Sequence, residues 1–213
     1  MAGQHTSMAT ITWMLLHLAA KPHLMDDLYR EQVEVCGKEL RPLAYEDLAK
    51  MPVVANVIKE VLRMHPPLHS IIRKVKSPMH VKDTAFTIPT SHYLLACPGA
   101  SAIDSQFFPN PLDFNPSRWI GDKGEEEGEK FDFGFGIINK GTASPYLPFG
   151  AGRHRCIGEN FANVQLGTIL VTFVREFALS LPGGATEVPG PDYTSMITLP
   201  MQPAAVHWKR RDP

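Results

Sequence analysis

Residues 148–159 read Pro148-Phe149-Gly150-Ala151-Gly152-Arg153-His154-Arg155-Cys156-Ile157-Gly158-Glu159. The stretch places one cysteine among glycines and bases. Apolar spacing predicts a helix immediately after it, from Ile157 to about Arg175. A cysteine ligates a metal through sulfur as a thiolate, whose charge must be offset by amide donors or by the positive end of a helix. Cys156 stands one residue ahead of that predicted helix start, which offers both. Gly150, Gly152 and Gly158 let main chain approach a flat ligand and turn amides toward the sulfur, as no side-chained residue could. His154, flanked by Arg153 and Arg155, adds groups able to meet carboxylates.

Upstream, Met8, Ile11, Leu15 and Leu18 fall at helical spacing from residue 7 to about 20 and stop before Lys21-Pro22. A second helix starts there with Pro22 in its first turn, and Gly37 caps its end. Residues 43–50 read as a short helix. Pro52 opens a longer one whose stripe is Val54, Val57, Ile58, Val61 and Leu62, and Pro66-Pro67 ends it. The runs 70–75, 79–81, 85–88 and 92–96 are divided by Pro, Asp and Ser and predict a small sheet. Residues 99–148 are rich in Pro, Gly and Asn and read as irregular. Within them Gly121–Lys130 is strongly acidic and reads as a surface insertion. The tail after the last helix alternates short apolar runs with Pro and Gly, as hairpins do. The predicted class is mainly α with small β-sheets (α+β), and there is no internal repeat.

Composition narrows the function classes. A net charge of −1 over 213 residues leaves no electrostatic footprint for nucleic acid. The lone basic cluster, Lys209-Arg210-Arg211, reads as a solvated end. Cys36, Cys97 and Cys156 are odd in number and widely spaced, which argues against a disulfide scaffold and suits a reducing compartment. No CxxC pair accompanies the nine histidines, so a structural zinc site is not indicated. No segment reaches the roughly 18 apolar residues that a transmembrane helix needs. Met1 is not followed by a signal-peptide pattern. The chain begins inside a helical pattern with no cap, and it reads as truncated.

Phe149, Gly152, His154, Cys156 and Gly158 match Phe-x-x-Gly-x-(Arg or His)-x-Cys-x-Gly, and through them the chain resembles the cytochrome P450 family. The resemblance implies haem b (iron protoporphyrin IX) with Cys156 as its metal ligand, pushing electron density onto iron to favour O–O cleavage. It implies that Phe149 packs beside the sulfur and that Gly150, Gly152, Gly158 and His154 border the cofactor, His154 at a propionate.

Three further stretches extend the resemblance. Glu60 and Arg63, three apart on one helix, would as a surface pair be worth only a few tenths of a kcal/mol. Next to the cysteine loop they are similar to the family's Glu-x-x-Arg motif. That implies a buried structural pair joined by Arg118, from Phe114-Asn115-Pro116-Ser117-Arg118-Trp119, where the family more often has Phe in place of Trp119. Ala2-Gly3-Gln4-His5-Thr6-Ser7 resembles the distal-helix motif whose acid and alcohol relay protons to dioxygen. Here His5 replaces the acid, and a histidine still exchanges protons near neutral pH. Gln4-His5-Thr6-Ser7 is the form of one branch, the fungal sterol (lanosterol or eburicol) 14α-demethylases. His69-Ser70-Ile71-Ile72-Arg73-Lys74-Val75 and Tyr193-Thr194-Ser195-Met196-Ile197 resemble that branch's cavity-lining strand and turn. This implies sterol contacts from His69, Ser70, Ile71, Tyr193, Ser195 and Met196, and a propionate contact from Arg73.

The resemblance covers residues 1–213 as a partial domain, from the middle of the distal helix onward. It implies oxidative 14α-demethylation of a sterol in sterol biosynthesis, with dioxygen and electrons from NADPH through NADPH–cytochrome P450 reductase. It also implies residence at the endoplasmic reticulum membrane, cytosolic face, through an N-terminal anchor missing here. The other readings of these residues are a P450 of another substrate class, a truncated non-catalytic fragment, and a cysteine-nucleophile hydrolase pairing Cys156 with a nearby His.

Overall fold

The structure, a computed structural model, describes residues 2–120 and 144–211. The acidic stretch 121–130 lies outside the described residues. Helix α1 (Ala2–Ala20) starts five residues before the spacing predicts, and it is apolar on more than one side. Trp13, Met14, Leu16 and Leu18 are all buried, the pattern of a helix enclosed by others rather than lying on a surface. Helix α2 (Pro22–Cys36) begins at the proline and ends where Gly37 takes φ +83°. The next segment, Tyr45–Lys50, forms a 3₁₀ turn. Helix α3 (Pro52–Met64) begins at a residue that brings no amide donor. Its next two amides are met from α2, Val53 N and Val54 N donating to the Glu31 carboxylate at 2.6 and 3.0 Å. Burial raises the Glu31 pKa, although those two amides pull it down.

Strands β1 (Ile71–Lys74), β2 (Met79–His80), β3 (Thr87–Ile88) and β4 (Tyr93–Ala96) fall within the four predicted runs. They form two ribbons instead of the one small sheet expected: β1 pairs antiparallel with β4, and β2 with β3. The inner pair spans two residues per strand, too short to reach the outer ribbon. At the start of the stretch read as irregular, 99–148, the chain forms a short helix α4 (Pro98–Ala102), with proline in its first turn.

Helix α5 (Glu159–Glu176) starts two residues later than the sequence predicts. Ile157 and Gly158 remain in the turn leaving the cysteine loop, with Gly158 as the N-cap. The tail folds back as β5 (Phe177–Ser180), β6 (Pro191–Asp192), β7 (Leu199–Pro200) and β8 (His207–Arg210); β6 pairs with β7, and β5 with β8 outside them. The basic end is therefore no free tail. Arg211 lies 4.9 Å over the Tyr29 ring, and its amide donates to Glu176 O.

The core lies where α1, α2, α3 and α5 meet, filled by Trp13, Leu28, Val57, Val61, Leu166 and Leu170. This mainly helical body with small antiparallel ribbons is the class that the sequence predicts. Among the described residues no helix is long and apolar enough to cross a membrane.

Candidate haem-thiolate site

The cysteine loop is shaped by its glycines at two points. Gly150 and Gly152 have φ +72° and +64°, a region in which any side chain is strained. Between them the chain reverses, and Cys156 N donates to Phe149 O at 2.9 Å, closing the loop. Gly158 serves a milder purpose, since a Cβ there would lie 3.8 Å from Cys156 Sγ, an ordinary contact.

Cys156 itself is exposed, and no hydrogen bond reaches its sulfur among the described residues. It stands three residues ahead of α5, whose N-terminal end favours negative charge. No imidazole hydrogen-bonds the sulfur, so the base that a cysteine nucleophile requires is not in place among the described residues. The Cys156 thiol is exposed and has no hydrogen-bond partner among the described residues, and Arg73, His154, Ile72 and Ile157 are exposed as well. These residue types suit a flat apolar macrocycle that carries an iron and a carboxylate edge. Phe149 turns inward to the core, and what meets Cys156 is its carbonyl. Arg155, between the loop and α5, forms a two-pronged pair with Glu159 at 2.6 and 2.7 Å. That Glu159 would hold Arg155 was not read from the sequence, although the (i, i+4) spacing allows it.

Behind the loop lies a buried charged hub. Glu60 and Arg63 are both fully buried and joined through Nε–Oε2 (3.0 Å) and Nη2–Oε1 (2.9 Å). Arg118 Nε donates to Glu60 Oε1 at 2.8 Å, and Asn115 N to the same oxygen at 3.0 Å. Trp119, where the family more often has phenylalanine, donates its indole N–H to Glu60 Oε2 at 3.0 Å. The carboxylate thus meets five donors. Arg63 Nη1 reaches onward to Ala102 O and Pro111 O, and Arg118 to Pro109 O, fastening α3 to the loop that follows α4. Tyr146 extends the hub toward the cysteine loop. Its ring lies 5.0 Å from Trp119, its hydroxyl donates to Lys59 O, and burial, then the Glu60 charge, raises its pKa.

The remaining predicted residues are spread along the edges of the fold. His5 is exposed and Thr6 half-buried in the first turns of α1, with Thr6 Oγ1 donating to Gly3 O at 3.3 Å. That helix packs against α5. Arg73 lies in β1 opposite Leu94 and, among the described residues, donates only to its neighbour Ile72 O. Ile71 borders a cavity of about 330 Å³ whose other side is Leu147, Gly150 and Ala151, so β1 faces the cysteine loop. Leu68 bridges to Ile197 and His69 Nε2 lies 3.1 Å from Ser195 O, bringing the two predicted cavity-lining stretches together. Ser70 is half-buried, and Tyr193, Ser195 and Met196 are exposed.

Between α1 and α3 lies a group that sequence reasoning missed. His17 and His65 face each other, Nε2 to Nε2 at 2.9 Å, His65 stacked on Trp13 at 3.6 Å and His17 on Phe114 at 4.0 Å. Burial, with a contribution from Lys21, lowers the His17 pKa to about 3. Burial, then His17 and Arg63, lowers that of His65 well below its usual value. Trp13 donates its indole N–H to Thr198 O at 3.0 Å.

Comparison with known proteins gives a consistent result. The family model described as "Cytochrome P450" matches residues 1–208. A sterol 14-alpha demethylase of Gibberella zeae is 54% identical over 99% of this chain and 42% of its own length. A lanosterol 14-alpha demethylase of Eremothecium gossypii is 52% identical over 100% of the chain and 41% of its own length. An eburicol 14-alpha-demethylase of Uncinula necator is 50% identical over 99% and 42%. The chain spans about two fifths of the length of the curated relatives it matches.

Proposed function

We propose, because the chain belongs to the cytochrome P450 family, that its protein is a haem-thiolate monooxygenase that removes the 14α-methyl group of a sterol. The observation that carries this reading is the Cys156 sulfur, exposed and without a hydrogen-bond partner among the described residues, on a loop that turns at Gly150 and Gly152 and is closed by the Phe149–Cys156 main-chain bond. Similarity to fungal enzymes named for lanosterol and eburicol supports the substrate class.

Bound haem supplies the activation of dioxygen, with electrons from NADPH delivered through a reductase. The chain's own residues do the rest. Cys156 would hold the iron through Sγ, a thiolate charge there being favoured by the α5 N-terminus. Arg73 and His154, exposed and free of competing carboxylates among the described residues, would meet the propionates. His5 and Thr6 would hold and pass protons, Thr6 Oγ1 from the position in which it now donates to Gly3 O. Ser70, Ile71, Tyr193, Ser195 and Met196 line the sterol pocket, mainly through apolar contact. Residence at the endoplasmic reticulum membrane belongs to the same proposal.

The test is the absorption spectrum of the reduced, carbon-monoxide-bound protein. A thiolate-shifted Soret band is expected, and Cys156→Ser is expected to remove it. A spectrum unchanged by that substitution would overturn the assignment of Cys156.

A further inference from the structure

Two opposite charges bracket Cys156 along the chain. Arg155 precedes the cysteine, and Glu159 is the first residue of α5. Arg155 Nε and Nη2 donate to Glu159 Oε2 and Oε1 at 2.6 and 2.7 Å, so this two-pronged bond spans the turn Cys156-Ile157-Gly158. The two side chains are 25% and 17% exposed, whereas Arg153 and His154 on the same loop are open to solvent. Water therefore screens the other bases of the loop far more than it screens this pair. The Glu159 charge also reaches the buried hub: burial first, then the charges of Glu60 and Glu159, raise the Tyr146 pKa. Finally, Glu159 occupies the end of α5 that favours negative charge, the same end on which a Cys156 thiolate would draw. Two anions compete for one helix end, and Arg155 offsets one of them.

We propose that Arg155 and Glu159 are positioning residues acting through Cys156: Arg155 cancels the Glu159 charge beside the sulfur, and the balance of the two sets how readily a thiolate-bound haem iron takes up one electron. The proposal rests on the haem-thiolate reading above and is independent of the sterol. Reduction of ferric to ferrous iron adds one negative charge to the unit that includes the sulfur. A Glu159 charge that Arg155 no longer cancels opposes that addition, and an Arg155 charge that Glu159 no longer cancels favours it. A pair that only holds the turn in shape has no such sign, because losing either half loosens the same turn.

The test is a reductive titration of the natural full-length, haem-loaded protein with dithionite, the ferric–ferrous equilibrium being read from the haem absorbance at one fixed pH. A charge at a partly screened position shifts such an equilibrium by roughly two- to fivefold, which is about 20–40 mV at about 59 mV per tenfold for one electron. Arg155→Met is expected to lower the potential by that amount, and Glu159→Gln to raise it. The double variant is expected to return close to the original. Arg155→Lys keeps the charge without the fork and is expected to stay close to the original as well. Shifts of the same sign in the two single variants, or no shift in either, would overturn the proposal. So would loss of the thiolate-shifted Soret band of the carbon-monoxide form in both, since that marks a brace of the turn. An unsubstituted protein without that band refutes the haem-thiolate reading and the proposal together. One that has the band and turns over no sterol refutes the substrate class alone.

Discussion

Replacing Glu60 with glutamine tests the hub on which the cysteine loop rests. The substitution keeps the shape and removes the charge. Oε1 accepts from Arg63 Nη2, Arg118 Nε and Asn115 N, while Oε2 accepts from Arg63 Nε and Trp119 Nε1. A glutamine amide must point its NH₂ at one of these two sets, and every member of both is a donor. In the better orientation the carbonyl keeps the three donors around Oε1 and the NH₂ confronts the other two. Two hydrogen bonds to a charged group, each worth about 1.5–3 kcal/mol, are then lost, for a cost of about 3–6 kcal/mol. Removal of one partner from a buried ion pair gives a similar figure of about 3–5 kcal/mol, here because the fully buried Arg63 keeps its charge. Against a whole-domain stability of about 5–15 kcal/mol this is a large fraction. Urea unfolding of the haem-loaded full-length protein is the assay, with the carbon-monoxide spectrum recorded alongside, and the thiolate band is expected to be lost at lower urea. Trp119→Phe keeps the ring and removes one donor, so it is expected to cost less than Glu60→Gln. A Glu60→Gln protein within about 0.5 kcal/mol of the original would refute the picture of a carboxylate essential to its donors.

Stability is expected to fall with acidity through the His17–His65 pair. The folded protein holds His17 near 3 against about 6.5 unfolded. The unfolded chain therefore binds the extra proton first, and stability present above about pH 6.5 is lost as pH drops toward 3, at up to about 1.4 kcal/mol per pH unit for one imidazole. Thermal midpoints measured from pH 7 to 4 check this, and replacing both rings with phenylalanine should flatten the slope. Gly152→Ala forces a side chain into φ +64°, at about 1–2 kcal/mol, and haem retention measured by the Soret absorbance should fall with it. Gly99→Ala would bring a Cβ within 3.2 Å of His69 O and 3.3 Å of Pro66. Pro66 O accepts from the buried Thr198 Oγ1, so the thermal midpoint is expected to fall. Arg73→Ala removes an exposed side chain whose one bond is to its neighbour's carbonyl. It should leave urea stability within about 0.5 kcal/mol while weakening haem retention.

The parts of this fold that could be read from the sequence are those whose cause is local. Pro22, Gly37, Pro52 and Pro66-Pro67 each act on the backbone within a residue or two, and the helices start and stop where they stand. The later start of α5 shows the limit of that reasoning. Apolar spacing carried the prediction through Ile157, whereas the exit turn of the cysteine loop keeps Ile157 and Gly158 out of the helix. Pairing of the short strands was also beyond reach. Four runs of similar character are compatible with one sheet or two, and strands of two residues carry too little alternation to set a partner.

The same division runs through the candidate site and explains what went unseen there. The cysteine loop is legible because its glycines, bases and thiol fall within twelve consecutive residues. Glu60 and Arg63 were legible as a pair on one helix face, and Arg118 joined them only through resemblance. Trp119 looked like a departure because a sequence shows a ring and not where its N–H points; the fold turns that N–H onto Glu60 Oε2 and makes the exchange of Phe for Trp a fifth hydrogen bond. His17, His65 and Thr198 gave no signal, since each partner lies 48 or more residues away along the chain. Yet these contacts join α1, which carries His5 and Thr6, to the base of the 193–197 turn. Helix α1 and the base of the 193–197 turn therefore share one buried anchor, Trp13 on Thr198. Trp13→Phe is accordingly expected to loosen both ends, with faster exchange at the Thr198 amide and at the N-terminal turns of α1. Loosening confined to one end would show that the two are anchored separately.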